Sequence, residues 1–207
     1  MKLSDIAEVR TGLVLSRKAA EIDSDVVAEY KQLNLKCIKE TGEIDLQALD
    51  KFRSSEKLGN NYLTHQEDVI VRLTVPYTAV LINEQTQGLV VSSHFCMIRA
   101  KKNKAVPEFI QWLLNSQPVK VEIEKNKTGV SFAGIKPSFY SELEIEPLAL
   151  EKQLKIAQVY STALKELALL EDLKRQKDLF YKNVLKDIYH RKCDKRSMRH
   201  DHTRCHK

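Results

Sequence analysis

The side chains with most to offer chemically sit in polar loops. Arg17 and Lys18 follow a glycine-containing segment, and Lys57, Asn60 and Asn61 surround Leu58-Gly59. Tyr77 and Thr78 lie at the Pro76 turn, Ser92, Ser93 and His94 interrupt an apolar run, and Lys125, Asn126, Lys127, Thr128 and Ser131 flank Gly129. Ammonium and guanidinium groups on such loops neutralise phosphates, while hydroxyls and amides pair with base edges, the Asn amide suiting adenine. The candidate set for contact with double-stranded nucleic acid is therefore Arg17, Lys18, Lys57, Asn60, Asn61, Tyr77, Thr78, Ser92, His94, Lys127, Thr128 and Ser131. Each of these has a plainer reading as a solvated loop residue, and His94 has an equal one as a histidine satisfied in the core.

Chemistry of other kinds is poorly provided for. The sequence has no glycine-rich phosphate loop ending in Gly-Lys-Ser/Thr, no G-x-G-x-x-G run for a dinucleotide or adenosyl group, no Asn/Asp-Pro-Pro-Tyr/Phe segment and no Gly-x-Ser-x-Gly elbow. No catalytic residue and no cofactor is expected. Cys193, His200, His202, Cys205 and His206 cluster near the end of the chain, but their spacing matches no standard zinc finger and no apolar residues surround them. The reading is a tail with incidental ligands and no metal site. Cys37 and Cys96 lie in apolar stretches, where buried free thiols are expected.

The elements that must position these loops come in two kinds. Residues 1–147 read as a mixed α/β (α+β) domain. Asp68–Leu73 through Val80–Ile82 form one apolar run, broken by Val75-Pro76-Tyr77 into two short strands around a turn; Gly88–Val91 through Phe95–Ile98 form a second. Pro107 opens a helix whose Phe109, Ile110, Leu113 and Leu114 share one face, and a further helix spans about Val119 to Lys125. Leu143-Glu144-Ile145-Glu146-Pro147 alternates like a short closing strand. From Ala149 to Ile188 there is neither Gly nor Pro, and helix formers dominate. A three-four spacing runs through Ile156, Tyr160, Ala163, Leu167, Leu170, Lys174, Lys177, Tyr181, Val184 and Ile188. That pattern makes a stripe along a helix of roughly 60 Å at 1.5 Å per residue. It reads as an intermolecular coiled coil in preference to a helix packed on its own domain. The expected organisation is a domain over 1–147, a long helix over 148–190 and a basic disordered tail over 191–207.

Charge is distributed in a way that matters. The whole chain of 207 residues carries 34 Lys+Arg against 28 Asp+Glu, a net +6, with 43% hydrophobic and 30% charged residues. Residues 1–147 hold 19 basic and 20 acidic side chains, residues 148–188 hold 8 and 6, and the last 19 residues hold 7 and 2. The basic balance thus lies mostly in the tail, and bulk charge does not argue for nucleic acid. No apolar run approaches a membrane span and the opening residues are too polar for a secretory signal, which points to a cytoplasmic protein.

The order of these features resembles one repeat of the specificity (S) subunits of type I restriction-modification enzymes. Leu3-Ser4-Asp5-Ile6-Ala7-Glu8-Val9-Arg10-Thr11-Gly12 is similar to the family's opening, and Glu67-Asp68-Val69-Ile70-Val71-Arg72 to a family strand, with Glu67 where glycine is usual. Val90 to Ile98 and then Pro107 to Leu114 follow in the expected order. Leu143 through Ala157 resembles the family's junction of proline, glutamate-glutamine and isoleucine-alanine, with Lys152 inserted between Glu151 and Gln153.

The resemblance implies a non-catalytic target-recognition domain followed by a long helix. A full S subunit has two such domains separated by two antiparallel helices and reads a split DNA target. This chain would be a half-subunit, pairing with a second copy through Ile156, Tyr160, Ala163, Leu167, Leu170, Tyr181, Val184 and Ile188 to read a split palindrome. Adenine methylation from S-adenosylmethionine would belong to separate methyltransferase (M) subunits, and ATP-dependent cleavage to a restriction (R) subunit. The recognition loops of the resembled family vary widely, so no base-reading residue carries over. Two other readings stand beside this one: a coiled-coil protein-interaction scaffold, and a gene fragment serving as a recombination cassette.

Overall fold

A computed structural model of the chain describes residues 1–39, 41–126 and 134–200, with side chains described through His190 apart from that of Ser24. Two compact units are present, Met1–Thr162 and Ala163–Lys207. In chain order the first unit contains α1 (Leu3–Ile6), β1 (Ala7–Thr11), β2 (Ala28–Leu33), β3 (Asp50–Ser54), β4 (Val69–Arg72), β5 (Ala79–Leu81), β6 (Val90–Val91), β7 (Phe95–Ala100), α2 (Pro107–Asn115), α3 (Gln117–Asn126) and α4 (Pro137–Glu142). The last helix, α5, spans Leu150–His200. The expected mixed domain followed by a long helix is what the chain forms.

Four strands pair antiparallel in the order β1-β7-β4-β5, and three more form a second sheet in the order β3-β2-β6, with β2 and β6 parallel. The apolar runs of β4 and β7 have a simple cause. Val69, Val71, Cys96 and Ile98 bury toward a core that also contains Ile110, Leu114, Val119, Ile123 and Tyr140 from α2, α3 and α4. Ile70, Met97 and Phe95 bury in a second core with Leu33, Cys37, Ile38 and Val91. A strand covered on both faces has no polar alternation to keep. Pro107 opens α2 at its first turn, as the sequence indicated. Cys37 and Cys96 are buried and free, and burial pushes the Cys96 thiol up to about 12.

Asp68 pins the centre of the first sheet. It is 1% exposed, accepts from Nε and Nη2 of Arg99 at 2.7 Å each, and accepts the His65 amide at 2.8 Å. A bidentate pair of this kind fixes the relative position of β4 and β7, and it holds the Arg99 proton more tightly than usual. Glu67, just before Asp68, has φ 70. A left-handed backbone there explains why glycine would be at home in this position and why glutamate is tolerated only at some conformational cost.

One expectation is corrected. Leu143–Pro147 is not a sheet strand: it makes a single bridge, Lys2 to Glu144, framed by Leu3 N to Leu143 O at 2.9 Å and Ile145 N to Met1 O at 2.8 Å. Alternation survives because Leu143 and Ile145 bury beside α1 while Glu144 and Glu146 face water. Pro147 carries no amide hydrogen with which to extend the pairing. Among the described residues, no helix is long and apolar enough to cross a membrane.

Candidate nucleic-acid interface

A small third core gathers part of the predicted contact set. Leu13, Phe52, Leu58 and Val90 bury together, with Leu15, Tyr30, Tyr62 and Leu63 packed partly against them. Every loop that carries a candidate residue in this region contributes an anchor to that core. Leu13 and Leu15 hold the segment that ends at Arg17 and Lys18, Leu58 holds Lys57, and Tyr62 with Leu63 hold the short turn Asn60–Tyr62. Backbone pairing completes the arrangement: Ser55 N donates to Lys18 O at 2.9 Å, Ala20 N to Arg53 O at 3.0 Å, and Leu58 N to the Tyr30 hydroxyl at 2.9 Å. Arg17, Lys57, Asn60 and Asn61 are exposed around this apolar centre. Lys18 is half-buried and paired with Glu56 at 2.7 Å, so its charge is already partly spent within the fold.

The turn from β6 to β7 lies beside the same segment. Leu13 N donates to Val91 O at 2.7 Å, and Ser93 N donates to Leu13 O at 2.8 Å. Ser92 is buried, whereas His94 is exposed, so the core-histidine reading of His94 does not hold.

Tyr77 and Thr78 lie apart from this group, buried at the turn between β4 and β5. Tyr77 has φ 56 and its side chain lies in the first core; the preceding Val75-Pro76 peptide is cis. Lys120 of α3, not singled out in the sequence, reaches this turn and donates to the carbonyls of Pro76 and Tyr77. Burial lowers its pKa to about 8. A lysine between two valines in an amphipathic helix was the only available signal for that role. Lys127, Thr128 and Ser131 lie outside the described residues, as do His202, Cys205 and His206 of the tail cluster; Cys193 and His200 fall on α5, beyond the described side chains.

The junction is built more firmly than the sequence motif suggested. Gln153 is 3% exposed; its Oε1 accepts the Val106 amide at 3.0 Å, and its Nε2 donates to Leu148 O at 2.9 Å and Lys104 O at 3.3 Å. Ala157 is buried one turn later, and Tyr160 accepts from Asn115 Nδ2 at 3.1 Å. Asn115 in turn brackets Ala79 of β5, accepting its amide at 2.9 Å and donating to its carbonyl at 2.8 Å. The first three turns of α5 therefore belong to the domain, and Ile156 and Tyr160 are half-buried within it. Replacing Gln153 by Ala removes the side-chain partner of one part-buried amide and two carbonyls. The expected cost is about 3 kcal/mol, or a fall of roughly 6–12 °C in the thermal midpoint for a unit of this size. A melt within 1 °C of the unmodified protein would show that the glutamine is dispensable.

In the second unit the same stripe is uncovered. Ala163, Leu167, Leu170, Tyr181 and Ile188 are exposed and Val184 is half-buried, while Leu169, Leu173, Leu179, Phe180, Leu185 and Tyr189 widen the apolar surface. Lys174 and Lys177 stand in the middle of it.

No protein-family model matches the chain, and no curated protein matches it by sequence. Its structure does have counterparts. The HsdS subunit from Thermoanaerobacter tengcongensis superposes with a TM-score of 0.62 at 18% identity, covering 85% of this chain and 44% of that one. A chain from a study of complex assembly and conformational transition of the type I restriction-modification system gives 0.63 at 19% identity, covering 86% and 45%. The type I restriction-modification S subunit from M. genitalium gives 0.51 at 17%, covering 85% and 42%. The fold is thus that of type I S subunits, and the chain spans under half the length of the solved subunits it matches.

Proposed function

We propose that this chain is a DNA-recognition half of a type I restriction-modification specificity subunit, without catalytic activity of its own. The observation that carries the reading is the order of parts. A recognition-type domain built like half of a solved S subunit runs without interruption into a helix whose apolar stripe is uncovered. Arg17, Lys57, Asn60, Asn61 and His94 contact the duplex, the arginine and lysine at phosphates and the amides at base edges. Two copies pair through α5, and their two-fold symmetry makes the target a split palindrome. Adenine methyltransferase and restriction subunits supply chemistry and further phosphate contacts, so a nearly neutral reading domain suffices.

The test is selection from a randomised duplex library by the full chain co-purified with a type I adenine methyltransferase subunit. Two inverted copies of one short sequence separated by a constant gap are expected among the retained duplexes. Retention of no duplex, together with tight association to some other protein, would instead support an interaction scaffold.

A further inference from the structure

The second sheet carries a charge arrangement that folding alone does not explain. In the β2–β3 ladder, Glu29 stands directly opposite Arg53, and the next rung on the same face sets Lys31 directly opposite Lys51. The first rung is matched: Arg53 lies 3.7 Å from Glu29 and 2.6 Å from Asp23. The second is mismatched. Directly opposed residues on an antiparallel pair have Cβ atoms about 5 Å apart, and like charges there repel. Both lysines are exposed, and among the described residues no carboxylate pairs with either. A solvated loop would let two such ammonium groups drift apart at the backbone. This ladder does not, because Tyr30 and Phe52, the residues next to Lys31 and Lys51, point to the other face and pack into the small core that also anchors Arg17, Lys57 and Asn60.

Two unneutralised lysines whose backbone positions are held directly opposite each other can converge on one anion with several oxygens. We propose that Lys31 and Lys51 form a clamp for the phosphate backbone of duplex DNA, which sets the position of the domain on the helix without reading sequence. The inference rests on the DNA-recognition reading above and adds a pair of contacts to it. Binding of a phosphate between the lysines replaces repulsion with two attractions, so the unfavourable rung of the free protein becomes part of the bound state.

The experiment compares the full chain, K31Q/K51Q and a control, K102Q/K104Q, on a fluorescent mixed-sequence 40-base-pair duplex over a range of salt concentrations, with the methyltransferase subunit present in each case. Loss of two phosphate contacts is expected to lower the slope of log K against log salt by about 1.8. The weakening should be the same for a mixed-sequence duplex and for the selected target. K102Q/K104Q removes the same net charge from an exposed turn and should keep the original slope. The thermal midpoint of K31Q/K51Q should equal or exceed that of the unmodified protein, because the repulsion is gone. An unchanged slope for K31Q/K51Q, with normal binding by the unmodified protein, overturns the clamp and leaves the recognition reading intact. An equal fall in the control reduces the effect to bulk charge and also overturns it. Failure of the unmodified protein to bind any duplex overturns both.

Discussion

Replacing Gly12 with alanine is expected to destabilise the first unit by about 3 kcal/mol, although the change adds one methyl group to a small, half-apolar loop. A Cβ at this position would lie 2.1 Å from Ser92 O and 2.6 Å from Val91 O, far inside van der Waals contact. Backbone, unlike the end of a flexible side chain, cannot step aside cheaply. Here it is tied on every side: Gly12 N donates to Phe95 O at 3.2 Å, Leu13 N to Val91 O at 2.7 Å, Ser93 N to Leu13 O at 2.8 Å, and Phe95 N to Ser92 O at 3.0 Å. Relief of the overlap would break at least one of these bonds and pull Leu13 out of the small core beneath the candidate contact loops. Urea unfolding followed by far-UV circular dichroism measures the loss. A cost below about 1 kcal/mol would mean that the segment moves more freely than its hydrogen bonds indicate.

The second large effect lies in α5. Leu170 and Tyr181 are 54% and 59% exposed, though leucine and tyrosine at coiled-coil spacing are residues that a helix normally covers. If two copies pair through this stripe, each substitution occurs twice in the pair. L170E/Y181E then places four carboxylates in an apolar seam, at about 1–3 kcal/mol each. The equilibrium should shift toward monomer by at least about 1,000-fold, since roughly 4 kcal/mol corresponds to that factor. Sedimentation velocity of the full chain and the variant reads this directly. Circular dichroism and the melting of the first unit should be unaffected, because neither residue belongs to it. A variant that sediments like the unmodified protein, both as dimers, would move the pairing surface elsewhere; two monomers would remove the half-subunit pairing altogether.

How much of this was legible in the sequence depended on burial. β4 and β7 were readable because both faces are covered, which leaves runs such as Val69-Ile70-Val71 and Phe95-Cys96-Met97-Ile98 free of polar residues. β2 and β3 were not. Ala28-Glu29-Tyr30-Lys31-Gln32 and Asp50-Lys51-Phe52-Arg53 bury only one face, and mostly through an aromatic flanked by charges, so their alternation is too short and too polar to separate from a loop. The lysine rung was hidden for the same reason, since register appears only once the strands are paired. Among the candidate contacts, Arg17, Lys57, Asn60 and Asn61 came together because each follows or precedes an anchor of the same core. Tyr77, Thr78 and Ser92 point inward because turn conformation, which residue type does not encode, decides which side of a loop faces solvent. Gln153 was visible as part of a motif, but its three hydrogen bonds depend on Lys104, Val106 and Leu148, brought to it by the path of the chain.

The pairing of β1 has a consequence for how the chain is made. Ala7 finds its partner in Ala100, roughly 90 residues further on, so at ordinary rates of synthesis β1 waits on the order of 5–20 s for β7 to exist. A bare apolar strand left that long invites association between nascent chains. β1 is not bare. Its Glu8 and Arg10 are exposed and paired at 2.6 Å on one side, which leaves Val9 as the only β-branched apolar residue in the strand. The alternation that places Glu8 and Arg10 at the rim of the folded domain thus also gives the unpaired strand a charged face during the interval before β7 exists, the feature by which strand edges resist association.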